Sequence, residues 1–249
     1  MSDTLSSEHH APTVSPTEKK QWGPWSALWI GTLVFVVPMI LVSTIAVATH
    51  WNMSDQDLQQ FYMYAASIAI TFVLLKMVLE RRYHSTLRDL GLNHFYFRYI
   101  GYALGTLPVY LFCSIVLSTI VQHLDKNFNA GQAQNLGFNG NPHSSPFVLL
   151  AVFFSLVIIP PLVEETLFRG FLLQGMRKQF PIAIAVLFTS LIFGAAHGQL
   201  NVGIDTFTLS CFLCFLRIKT ESLWPGIILH GTKNLIAFIV LYHVFYSFF

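Results

Sequence analysis

Charge is scarce in this sequence. Of its 249 residues, 12 are Asp or Glu and 14 are Lys or Arg, so only 10% are charged, against roughly 25% in an ordinary soluble domain. A chain so poor in charge cannot cover a surface that faces water on every side. A net charge of +2 without a basic face excludes a nucleic-acid binder. Three cysteines are too few for a disulfide-built secreted scaffold, and the low polarity excludes a disordered chain. No internal repeat is evident, which argues against a transporter built from duplicated halves.

What the sequence has instead is 54% hydrophobic residues and a mean hydropathy of +0.57, gathered into long runs. Crossing the bilayer core as a helix takes about 20 mostly apolar residues. The runs Trp25–Thr49, Phe61–Leu79, Tyr99–Val121, Phe147–Met176, Ile182–His197, Asp205–Leu216 and Trp224–Phe249 read as seven spans, plus or minus one. The fourth is interrupted by Pro160-Pro161, and the sixth is short enough to be tilted or re-entrant. The runs are continuously apolar rather than alternating, so helices are expected and not a β-barrel. The fold class is therefore an all-α polytopic transmembrane bundle, preceded by a polar, disordered tail over residues 1–21.

Lys19, Lys20, Lys76, Arg81, Arg82, Arg88, Arg98, Arg177, Lys178, Arg217 and Lys219 fall on one side of such a path, and Lys126 on the other. Positive charge stays cytoplasmic, which predicts an inner N-terminus. A cleavable signal peptide ending at Ala46-Val47-Ala48 is the competing reading of the first run, but the run is longer than the usual 7–15 residues.

Ionised side chains within the bilayer cost several kcal/mol and tend to be functional. Glu164 and Glu165 are the acids expected well inside a span, alongside Arg169, His197, His230, Lys233 and His243. Glu165 and Arg169 are i,i+4 and can pair, whereas Glu164 has Phe168 at that spacing and is left free for chemistry. The alternative is an ion network that only locks the bundle. His197 ends the fifth run in Phe193-Gly-Ala-Ala-His197-Gly. His230 and Asn234 share a face of the last span and could bind an oxyanion, hold a metal, or merely link helices. His243, roughly 220° further round that helix, should not join them. Cys211 and Cys214 form a Cys-x-x-Cys that reads as packing rather than as a redox or zinc site. Gathered around one water-filled cavity, the carboxylate, the imidazoles and the amide could activate water and stabilise a tetrahedral intermediate, which suggests intramembrane peptide hydrolysis.

Glu164-Glu165-Thr-Leu-Phe168-Arg169, Phe193-Gly-Ala-Ala-His197 and His230-Gly-Thr-Lys-Asn234 resemble, in order, the Glu-Glu-x-x-x-Arg, Phe-x-x-x-His and His-x-x-x-Asn motifs of the CAAX protease and bacteriocin-processing (CPBP, or Abi) intramembrane proteases. The resemblance covers roughly residues 147–241 and implies a catalytic transmembrane core over 147–249, behind N-terminal spans and loops over 22–146. It implies a membrane-embedded endopeptidase, CAAX-prenyl-protease-like, acting on a membrane-associated peptide or protein amid lipid. Its setting would be a multi-pass protein of the bacterial cytoplasmic membrane. By motif, Glu164 is the general base and His197 helps to hold the attacking water. His230 and Asn234 are the oxyanion donors, while Glu165 and Arg169 support the site. His-Glu-x-x-His is absent. A zinc held by Glu164, His197 and His230 is an alternative, but it would remove the base and an oxyanion donor, and the metal-free route is favoured. The competing functions are a non-catalytic bacteriocin-immunity or scaffold relative and a proton-coupled transporter.

Two features sit awkwardly with the resemblance. Lys233 stands where the family often has an uncharged residue, so a cation either flanks the site or snorkels away. Counting about 1.5 Å per residue puts Glu164 and His197 roughly 20–24 Å from the cytoplasmic ends but His230 only about 14 Å, so tilt or a deeper start of the last helix is required.

Overall fold

A computed structural model of the chain describes residues 21–53, 55–130, 132, 138 and 144–242. All but the last residue of the expected polar tail, and also His243, lie outside them. Seven helices are found among the described residues: α1 Pro24–Ala48, α2 Gln56–Tyr83, α3 Arg98–Leu124, α4 Pro146–Met176, α5 Ile182–Ala195, α6 Leu200–Thr220 and α7 Trp224–Tyr242. Six of them are long and apolar enough to cross a membrane; α5 is not.

Local chemistry fixes the starts. Pro24 and Pro146 occupy the first turns of α1 and α4, where a missing N–H leaves no gap. The Asp55 carboxylate caps α2 by accepting from the backbone N–H groups of Asp57 and Leu58 at 2.9 and 3.1 Å. Outward-facing apolar residues such as Leu33, Phe112 and Val240 remain exposed, as a lipid-facing surface requires.

The fifth and sixth runs exchange roles relative to the sequence reading. The fifth, expected to cross, forms a helix of 14 residues, about 21 Å long against a core of about 30 Å. The sixth, expected to be short, is a 21-residue helix. Its true start was hidden because Gln199, Asn201 and Asp205 break the apolar run. Asp205 is tolerated because its Oδ1 accepts hydrogen bonds from Tyr110 and Ser114 of α3. α5 and α6 pack tightly enough that a Cβ on Gly194 would come within 2.7 Å of the Gly203 carbonyl oxygen.

One end of the bundle gathers the loops that carry most of the basic residues. Lys178 donates to the Gln21 side chain at 2.9 Å, Arg217 donates to Leu90 O at 3.1 Å, and the Leu223 N–H donates to Gly91 O at 2.9 Å. At the opposite end Asn201 donates to Gln132 O at 2.7 Å.

α1 is pinned to α4 near the first end. The Trp22 indole donates to Phe171 O at 2.9 Å and stacks on the Phe171 ring, with centroids 5.1 Å apart. A Cβ at Gly175 would run into the Ala27 side chain and stand 2.9 Å from the Trp22 ring. G175L is therefore expected to lose about 1–3 kcal/mol by overpacking in thermal unfolding of detergent-solubilised protein. G101A, with nothing within 4 Å of its Cβ, should stay within about 1 kcal/mol of wild type.

Candidate active site

The site is built around α4, which carries Glu164, Glu165 and Arg169. Pro160 and Pro161 do not break this helix; they change its pitch. A proline has no N–H to donate, so Leu156 O loses both its α-helical donor, residue 160, and its π-helical donor, residue 161. The chain widens into a π-helical stretch over Phe154–Ile158 just before the prolines. Asn234 of α7 supplies the missing donor, its Nδ2 lying 2.9 Å from Leu156 O. One residue on, Val157 O approaches so closely that a Cβ on Gly231 would lie 3.1 Å from it. α7 thus meets two adjacent carbonyls with an amide and a bare glycine.

A second π-helical stretch spans Thr166–Leu172, and Glu165 lies at its edge. Glu165 Oε1 accepts from Arg169 Nη1 at 2.9 Å and from His230 Nδ1 at 3.1 Å. The expected i,i+4 pair within α4 therefore forms, and a second helix, α7, joins it. Both partners are sealed from solvent, with side-chain exposures of 0% for Arg169 and 1% for Glu165. Burying one ion without the other would cost several kcal/mol. The guanidinium is further boxed in by the Phe193 ring, 4.3 Å from its carbon to the centroid, and by the Cys214 thiol. All three cysteines are unbridged.

A carboxylate only accepts hydrogen bonds, so Nδ1 of His230 is the donor to Glu165, and in the neutral ring Nε2 is then an acceptor. That Nε2 faces Glu164, whose Oε2 lies 3.9 Å away and has no hydrogen-bond partner. At 20% exposure Glu164 opens onto a cavity of about 220 Å³ that is also lined by His197, His230, Lys233 and Asn234. His197 sits in the turn just beyond α5, with Nδ1 2.8 Å from Phe193 O. By the same reasoning its Nε2 is the free acceptor. The Phe193 ring contacts both imidazoles, with centroid separations of 5.0 and 5.8 Å.

Four of the six residues singled out from the sequence therefore share one cavity, and Glu165 and Arg169 stand directly behind it. The depth conflict is resolved by where α7 begins. Leu223, bonded to Gly91, packs beside Gly170 of α4. His230 is then seven residues above Leu223, and Glu164 six residues from Gly170, so they meet at one level.

Three cavity residues were not found from the sequence. Tyr64 of α2 lines the cavity beside Glu164 and is hydrogen-bonded to the Gln60 side chain; an aromatic in an apolar run carries no signal. Phe35 and Met39 of α1 close another wall. Lys233 does not snorkel away, because its Nζ lies 3.5 Å from Asp205 Oδ2, an acid that had been placed at a span terminus. As for zinc, Glu164, His197 and His230 all line the cavity, and among the described residues no three His, Cys, Asp or Glu side chains are grouped as a metal-holding set.

Residues 146–236 match the family described as Rce1-like, type II CAAX prenyl endopeptidase. An uncharacterized 24.3 kDa protein of Escherichia coli is 35% identical over 92 residues, covering 35% of this chain and 42% of that protein. The chain thus spans less than half of that relative's length. No solved structure matches.

Removing one partner of the buried pair should cost more than removing both. R169M is expected to destabilise the protein by about 3–5 kcal/mol, and E165Q/R169M by much less. Unfolding of the two variants side by side in detergent tests this, and equal losses would show that the pair does not compensate buried charge.

Proposed function

We propose that this protein, whose residues 146–236 match the Rce1-like family, is an intramembrane endopeptidase that hydrolyses a peptide bond of a membrane-associated substrate with Glu164-activated water. The observation that carries the reading is the unpartnered Glu164 Oε2 facing His230 Nε2 across 3.9 Å at an internal cavity. A water about 2.8 Å from each atom fits the 3.9 Å gap and sees the two at roughly a right angle, within reach of two slightly bent hydrogen bonds. It can donate one hydrogen to the carboxylate and one to the imidazole, leaving its lone pairs free for a carbonyl carbon.

Glu164 takes the proton as the water oxygen bonds to that carbon. When the C–N bond breaks, Glu164 returns the proton to the leaving amine, giving an acid and an amine. Glu165 holds His230 in the tautomer that accepts from water, as a buried carboxylate orients imidazole in other hydrolases. His197, presenting its own acceptor, helps to orient the water. Asn234 gives one amide N–H to Leu156 O and offers the other to the developing oxyanion. This moves His230 from donor to water-orienting acceptor and leaves Asn234 as the amide donor. Arg169 neutralises Glu165 so that the carboxylate pair carries one net negative charge, on Glu164.

The substrate class follows from the family: a lipid-anchored or membrane-embedded peptide. The basic loops at one end of the bundle support a cytoplasmic placement of that end. The cell of origin is proposed to be bacterial.

E164Q should lower turnover by about 10²–10⁴-fold without lowering the unfolding temperature. Proteomics of membrane peptides from cells carrying wild type or E164Q reads activity and substrates together. Unchanged processing by E164Q would exclude Glu164 as the base and leave a binding or immunity protein. Chelation with EDTA or 1,10-phenanthroline should leave cleavage unaltered; loss of activity reversed by added zinc would overturn the metal-free route.

A further inference from the structure

The cavity has an unequal supply of hydrogen-bond acceptors and donors. Glu164 accepts, and both imidazoles present acceptor nitrogens because their Nδ1–H groups are bound to Glu165 and to Phe193 O. Asn234 has one amide hydrogen engaged with Leu156 O. A tetrahedral oxyanion forming among these groups would meet two imidazole acceptors, a Glu164 whose newly taken proton is destined for the leaving amine, and a single remaining amide N–H of Asn234. The hydroxyl-bearing residues Tyr64, Ser155 and Thr206 also line the cavity, but the cation among its lining residues is Lys233.

Lys233 is placed the way His230 is. Behind His230 stands Glu165 at 3.1 Å, and behind Lys233 stands Asp205 at 3.5 Å. Neither carboxylate lines the cavity itself. Asp205 is in turn held from α3, with Tyr110 Oη donating to its Oδ1 at 2.7 Å and Ser114 Oγ bonding to the same oxygen. The salt bridge engages one side of the ammonium, so hydrogens remain to be directed elsewhere. Its counterion is not among the residues that line the cavity, whereas Lys233 is.

We propose that Lys233 is a further catalytic residue, a cation that Asp205 aims at the oxyanion formed during Glu164-driven hydrolysis, with Asp205 as its positioning residue. This rests on the hydrolase reading above. A charged donor in a dry cavity stabilises a developing negative charge far more than it stabilises a neutral ground-state carbonyl, so its effect falls on turnover rather than on substrate binding. Lys233 also accounts for why α6, otherwise an apolar span, keeps a carboxylate bonded to two hydroxyls of α3.

The test is steady-state cleavage of a fluorescence-quenched farnesylated CAAX peptide by the full chain in phospholipid vesicles, with the same peptide as a C-terminal amide. K233M is expected to lower kcat by about 10²-fold with KM within about twofold of wild type, equally for both peptides, and K233R should restore part of the rate. D205N should lower kcat less than K233M does. D205N/K233M, which removes both charges and keeps the hydroxyl contacts to α3, should be no slower than K233M alone, because a positioning residue has nothing left to position. Unfolding temperatures of all variants identify losses due to folding.

An unchanged kcat for a folded K233M or D205N/K233M overturns the proposal. So does a loss confined to KM and to the free-carboxylate peptide, which would make Lys233 a binder of the substrate's carboxylate. Failure of the hydrolase reading looks different: wild type and E164Q would then be indistinguishable on both peptides, and this proposal would fall with it.

Discussion

The fully buried carboxylate of Glu165 is the point on which the rest of this molecule depends. One of its oxygens serves two helices, binding the guanidinium one turn below on α4 and the imidazole of His230 on α7. Each bond fixes something that the neighbouring Glu164 needs. Arg169 cancels a charge that would otherwise have to stay protonated or drive the helices apart. His230, held by its Nδ1, is left with an acceptor aimed at the second carboxylate. Two glutamates adjacent in sequence thus have opposite environments, one neutralised in the protein interior and the other at the edge of a polar hollow. The contrast is a consequence of helical angle, since neighbours on a helix point about 100° apart.

The division between chemistry and container is equally clear. Every residue assigned to bond cleavage lies on α4, in the turn after α5, or on α7, within the segment that matches the Rce1-like family. The walls come partly from outside it: Phe35 and Met39 from α1 and Tyr64 from α2 close the hollow. The packing of Trp22 on Phe171 ties α1 to the same helix that bears both glutamates. The first two helices therefore shape access to a cavity to which they supply no motif.

Much of this was legible in the sequence because two signals are strong in membranes. Long uncharged runs located the helices, and rare ionisable residues located the site. The pairing of Glu165 with Arg169 and the freedom of Glu164 followed from spacing alone. Other features depended on contacts that spacing does not contain. Asp205 was mistaken for a span boundary because its three partners lie on α3 and α7, far away in sequence. The levels of Glu164 and His230 disagreed because counting from loop ends assumes that every helix starts at the same depth, and α7 starts beside Gly170. The role of Asn234 at Leu156 O could not be seen without knowing that two prolines leave that carbonyl unpaired. The contact of His230 with Glu165, which bears on its tautomer, was likewise invisible to spacing.

Those two prolines also constrain how the protein is made. α4 emerges from the ribosome with a carbonyl it cannot satisfy itself and a carboxylate awaiting a second partner. The groups that complete them, His230 and Asn234, follow 65 and 78 residues later. At about 5–20 residues per second the longer interval corresponds to roughly 4–16 s of translation. During that time Leu156 O and Glu165 lack the partners that α7 gives them, so the pairing of α4 with α7 waits on the later helix. The order in which the chain is made thus bears on the same carbonyl that joins α4 to α7.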